Sequence, residues 1–110
     1  MIEPDDDFEP PASLDELVAE AIPHLAGVEQ AKVGGATVLS RAGQAFAALT
    51  GEVLELRLDP LIAGAALRTA DTTPSARGRG WIRFAPAVLD RYAVDRVGAW
   101  LGYAWRHALD

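Results

Sequence analysis

The sequence predicts a single two-layer α+β domain, an antiparallel sheet of about four strands with helices packed on one face. Three observations lead there. A chain of 110 residues has room for one core and no second. Its centre carries strand-length apolar runs joined by short Gly-containing links, whereas both ends of the body repeat with helical period. In "EVLELRLD" Leu54, Leu56 and Leu58 alternate with Val53, Glu55 and Arg57. One face of the sheet is therefore buried and the other at least partly wet, so helices cover one side only.

Taken in order, residues 1–12 combine Pro4, Pro10 and Pro11 with an acid run, a composition that self-repels and buries little. They read as a disordered acidic tail, with the domain spanning 13–110. Ser13 and Glu16 form a capping box contributing about 1 kcal/mol. Leu14, Leu17, Val18, Ala21, Ile22 and Leu25 then recur at helical spacing, which predicts a helix over about 13–25, with Gly27 as its stop and Pro23 weakening its last turn. "ATVLS", "QAFAAL" and "EVLELRLD", separated by "RAG" and "TG", predict an antiparallel meander. Asp59-Pro60 starts a short helix over "LIAGAALRT". "TTPSARGRG" follows as a connection, and "WIRFA" is an edge-forming fourth strand with Ile82 and Phe84 on one face and Trp81 and Arg83 on the other. The last run, about Pro86 to Leu109, is a helix. Its core stripe is Leu89, Ala93, Val97, Trp100, Leu101, Ala104 and Ala108, within an arc of roughly 120°. The predicted order is α, three strands, short α, strand, α.

Composition narrows the function classes. No apolar run approaches the roughly 18 residues a membrane span needs, and the acidic start is unlike a signal or transit peptide, so a soluble cytoplasmic protein is expected. The absence of cysteine excludes disulfides, thiolate metal sites and cysteine nucleophiles. The net charge of −6 is uneven: residues 1–20 hold eight acids and no base, leaving the body at +2. From Arg68 to Arg106 seven arginines face three aspartates. An anionic partner is electrostatically compatible with that region despite the acidic total.

The arginine-rich stretch 72–84 is the first candidate site. Backbone amides around Gly78 and Gly80, with the guanidiniums of Arg77 and Arg79, suit a phosphate, and Trp81 suits a stacked base. A plain helix-to-strand crossover explains the same residues, and "RGRG" lacks the Lys-Ser/Thr ending of a P-loop. Thr72, Thr73 and Ser75 have no neighbouring general base in the sequence. The open sheet face is the second candidate: if the third and fourth predicted strands are neighbours, Glu55, Arg57, Trp81 and Arg83 form one polar surface with an aromatic anchor. Pairing of Glu55 with Arg83 is the structural alternative.

On the last helix Tyr92, Arg96, Tyr103 and His107 follow one flank of the core stripe, as a ligand groove or as amphipathic margin residues. Gly98 and Gly102 in the same helix each cost about 1 kcal/mol relative to alanine. That implies close approach, either by the first helix or by a second copy in a homodimer. His24 and His107 stand alone, the Asp5–Asp7 run lacks the rest of a calcium loop, and Gly34-Gly35 precedes a strand instead of opening a helix. No catalytic, metal or cofactor-binding residues are assigned.

The segment "GVEQAKVGGATVLSRAGQAFAALTGEVLELRLDP" carries a Gly-Val-Glu lead-in, a GG turn, "R-x-G-x-x-F-A-x-L" and "L-x-L-R-L-D-P". With "GWIRF" and the terminal "YAWRHA", it resembles the MmcQ/YjbR family over about residues 14–108, and nearly as well the N-terminal domain of TfoX-like proteins. The resemblance implies a CyaY-like fold, an antiparallel sheet with helices on one face, and a double-wing DNA-binding motif. The family's His-Met-Asn-Lys-like stretch before the Trp strand is replaced here by "TTPSARGRG". The expectation is a non-catalytic binding module using Arg57, Arg77, Arg79, Trp81 and Arg83, its partner a protein or an anionic ligand. DNA or RNA binding by the same surface is the alternative, and a small enzyme the third reading. The chain is expected to be a monomer, or a homodimer through the Gly98/Gly102 helix.

Overall fold

The computed structural model describes residues 9–109. Its elements are α1 (Leu14–Ala21), β1 (Val28–Val33), β2 (Ala36–Arg41), β3 (Gln44–Thr50), β4 (Val53–Arg57), α2 (Pro60–Ala66), β5 (Thr72–Pro74), β6 (Trp81–Phe84) and α3 (Arg91–His107). The six strands form one antiparallel sheet in the order β1-β2-β3-β4-β6-β5. This is the expected α+β architecture with two strands more than the four predicted. Most of the expected tail, residues 1–8, lies outside the described residues; residues 9–12 carry no helix or strand.

Both additional strands lie at sheet edges. β1 is almost wholly exposed, so "VEQAKV" shows none of the apolar alternation that burial would impose. It is held by backbone pairing to β2 through a two-residue turn at Gly34-Gly35, both with positive φ, the conformation a tight hairpin requires. β5 has three residues and ends at Pro74. It pairs with β6, so the stretch expected as a connection is a hairpin, and β6 lies inside the sheet instead of at its edge.

Helix boundaries follow local chemistry. The Ser13 hydroxyl accepts from the Glu16 amide as the capping box predicts, but α1 stops at Ala21. Pro23 lies in a single 3₁₀ turn over Ile22–His24, because proline cannot donate the next α-helical hydrogen bond. Asp59 caps α2 by accepting from the Leu61 amide. Asp90 caps α3 through the Ala93 amide, which places its start five residues later than the sequence suggests. Residues 85–90 instead form a loop tied to Asp71, whose carbonyl accepts from Ala85. No described helix is long and apolar enough to cross a membrane.

All three helices contribute to one core against one face of the sheet. Leu14 and Val18 of α1, Ala63 and Ala66 of α2, and Val97, Trp100 and Leu101 of α3 meet Leu39, Leu54, Leu56, Ile82 and Phe84. Phe84 and Trp100 pack edge to face with centroids 5.1 Å apart, a geometry worth about 1 kcal/mol beyond burial. At β3 the register slips between Leu39 and Ser40, so Phe46 is an extra bulge residue and is fully buried in the core. Arg41 anchors the end of α3: it donates to the Trp105 carbonyl at 3.0 Å and lies 4.0 Å from the indole ring, while Trp105 Nε1 donates to the Ala26 carbonyl. A cation thereby satisfies a carbonyl that the helix end leaves unpaired.

Candidate functional site

The β4–β6 register sets Glu55 opposite Arg83 and Arg57 opposite Trp81. Directly opposed residues share a face, and Leu54, Leu56, Ile82 and Phe84 occupy the core side. Glu55, Arg57, Trp81 and Arg83 therefore stand together on the face without helices. The condition set by the sequence, that these two strands be neighbours, is met. This face is not bare backbone: Ala48, between Val38 and Glu55 in the ladder, is fully buried there.

The hairpin between β5 and β6 folds back over that face. Glu55 accepts from the Ser75 hydroxyl and from Arg77 Nε, the latter an ion pair at 2.8 Å. The Arg77 amide donates to Ser75 Oγ, and the Arg77 guanidinium lies 5.7 Å from the Trp81 ring. Burial pushes the Glu55 carboxyl up, but the hydrogen bonds from Ser75 and Arg77 and the charges of Arg77 and Arg83 outweigh it. The carboxyl is held below its ordinary value of 4.5. The hydrogen bonds from Ser75 and Arg77 both favour the ionised carboxylate. The direct partner of Glu55 is thus Arg77, with Arg83 acting on it through its charge.

The two loop glycines have different geometries. A Cβ on Gly80 would meet the Leu58 carbonyl oxygen at 2.9 Å, at a φ of +82°. The Leu58 amide donates to the Gly80 carbonyl at 2.8 Å, so this glycine seats the hairpin against the end of β4. Gly78 has a positive φ, and its carbonyl accepts from the Trp81 amide. These amides and carbonyls close the turn.

The remaining arginines are less engaged. Arg79 and Arg83 are exposed. Arg57 is partly exposed, yet its Nε and Nη2 are buried and find no hydrogen-bond acceptor. An unsatisfied buried donor costs roughly 1–3 kcal/mol, and native structures leave few of them. Of the five residues singled out in the sequence, Arg57, Trp81 and Arg83 share the sheet face, Arg77 braces the hairpin to Glu55, and Arg79 sits at the tip. The roles of Ser75 and Glu55 as anchors depend on the hairpin fold, which sequence spacing does not display.

The helix side holds two concavities along the flank of α3. A cleft of about 530 Å³ lies between the end of α2, the 85–90 loop and the start of α3, with Arg68, Asp71, Asp90, Tyr92 and Arg96 among its lining residues. A smaller one of about 290 Å³ continues past Arg96 to Trp100 and Tyr103. Tyr92, Arg96 and Tyr103 thus border concave surface as one sequence reading expected, and His107 does not line either cleft. Gly98 and Gly102 correct another expectation: an added Cβ would have no neighbour within 4 Å at either, so neither α1 nor any other described element makes the close approach expected there. Among the described residues no three His, Asp or Glu side chains come together as a metal site would require.

No family model, curated protein or solved structure matches the chain.

Proposed function

We propose that this domain is a non-catalytic binding module that presents the β4–β6 end of its open sheet face to an acidic protein partner. Arg57, Arg79, Trp81 and Arg83 make the contacts, and Arg77, paired with Glu55, holds the hairpin in place. The observation that supports this reading is the Arg57 guanidinium, with two buried nitrogens lacking acceptors beside an aromatic ring on a helix-free face. A partner carboxylate supplies those acceptors once the guanidinium turns outward, and charge-assisted pairs of this kind are the stronger hydrogen bonds. Trp and Arg together are also the usual anchors of interfaces.

Arg57→Met separates binding from folding. Removing an unsatisfied buried charge leaves stability equal or slightly higher, while affinity for an Asp/Glu-rich peptide falls about tenfold. Peptide titration by calorimetry and urea unfolding measure the two. A variant destabilised by more than about 1 kcal/mol with unchanged binding makes Arg57 a structural residue and sinks the proposal.

Nucleic acid is the second reading, favoured by the partly exposed Trp81 between Arg57 and Arg77, which offers a surface for base stacking. It also agrees with the resemblance to the MmcQ/YjbR family. Three arginines released to phosphates give a slope of about −2 in log K against log salt for a single strand. Because the acids of residues 1–12 compete for the same surface, the test uses the chain lacking them: no binding of single- or double-stranded DNA at low salt removes this reading.

A further inference from the structure

The larger cleft lies in the helix layer, away from the arginine face of the sheet. Its volume of about 530 Å³ is in the range of small-molecule sites, roughly 300–1,000 Å³. Phe84, Pro86, Val88 and Ala93 give it apolar walls, and Arg68 and Arg96 give it two cations.

The cleft carries two cations and two carboxylates, and among the described residues no ion pair joins them. Asp90 is committed to the Ala93 amide at the start of α3. Asp71 reaches the Ala87 amide at 3.4 Å and accepts from Ala85 through its carbonyl, in a left-handed conformation with φ of 64°. Asp is one of the few residues that tolerates that conformation, and here it pins the 85–87 wall of the cleft. Among the described residues neither aspartate forms an ion pair with Arg68 or Arg96. Arg96 instead makes a long bond of 3.4 Å to the Tyr92 carbonyl and sits 5.9 Å from the Tyr92 ring, which is 74 % exposed. Two guanidiniums thus border a cleft of mixed polar and apolar lining, while its carboxylates accept from the backbone.

We infer that this cleft binds a small organic anion, a carboxylate or phosphate monoester with an apolar body. Arg68 and Arg96 hold the anionic group, and the body lies against Phe84, Pro86 and Val88. Arg96 and Thr69 also border the smaller cavity, so a longer apolar body extends toward Trp100. The inference is independent of the sheet-face proposal, because the two sites lie on opposite sides of the sheet.

Phenyl phosphate, inorganic phosphate and benzylamine, titrated separately into the full-length ¹⁵N-labelled chain, distinguish anion, apolar body and cation. The expected result is saturable shifts with phenyl phosphate at the amides of Thr69, Ala87 and Ala93, with inorganic phosphate at least about tenfold weaker and benzylamine without saturation. Arg68→Gln weakens phenyl phosphate about tenfold. Arg68 is exposed, so this variant keeps a folded spectrum, and Arg57→Met leaves the affinity unchanged. Benzylamine binding as tightly as phenyl phosphate overturns the inference. So do shifts confined to β4 and β6, an unaltered affinity in Arg68→Gln, or no saturation at millimolar probe.

Discussion

Glu55 illustrates how a single carboxylate serves as a fold element. Its side chain is 16 % exposed and takes hydrogen bonds from both Ser75 and Arg77, so the hairpin over residues 75–80 depends on its ionisation. Because its folded pKa is lowered, the stability it confers is complete above the unfolded carboxylate value. That stability is lost as pH falls from about 4.5 through the lower folded value. The expected outcome is that hydrogen exchange at the Arg77 and Trp81 amides accelerates over that acid window before the rest of the sheet opens. Glu55→Gln should exchange faster at neutral pH and lose the acid step. An identical acid profile in wild type and Glu55→Gln would place the step elsewhere.

At the scale of elements, one loop glycine and two helical ones divide by geometry. Gly80 has a left-handed φ and a backbone oxygen where a Cβ would go, so Gly80→Ala separates the hairpin from Leu58 and destabilises by more than about 1 kcal/mol. Gly98 and Gly102 are ordinary helical positions with open space around the missing Cβ. Replacing either with alanine stabilises by up to about 1 kcal/mol through helix propensity. Urea unfolding of the three variants gives opposite signs for the two classes. A loss of stability in Gly98→Ala or Gly102→Ala, reversed on dilution, instead indicates a self-association that needs the small residues.

The same elements show where sequence is informative. β4, β6 and the caps of α1 and α2 were legible because each rests on a local signal: strict alternation, a Ser-x-x-Glu box, or an Asp before the first helical turn, whereas the Asp90 cap of α3 was not read. β1 and β5 were not, since edge strands are held by backbone pairing and bury too little to leave a pattern. The facing of Arg57 and Trp81 was half legible. Alternation supplied the face, and only the fold supplied the neighbourhood. The Glu55–Arg77 pair spans 22 residues and forms only when β5 closes the hairpin. The cleft at Arg68 and Arg96 is likewise assembled from α2, the 85–90 loop and α3, so no one segment announces it.

Over the whole molecule the decisive quantity is the separation of charge along the chain. The first twenty residues carry −8 and the remainder +2, so the arginine surfaces operate inside a field set mostly by another part of the same molecule. A domain of this length has a radius of gyration of about 13 Å. The Debye length is about 30 Å at 10 mM salt and about 8 Å at physiological ionic strength. At low salt the acids at positions 5–7 therefore repel any approaching anion regardless of where they sit, and at physiological salt that repulsion is largely screened. Changing Asp5, Asp6 and Asp7 together to Asn should raise the association rate of an acidic peptide several-fold at 10 mM salt, with the difference shrinking toward none at 150 mM. Stopped-flow measurements across that range test the point. A difference that persists undiminished at high salt would mean a direct contact between these acids and the binding surface, since screening removes a diffuse field but not a close ion pair.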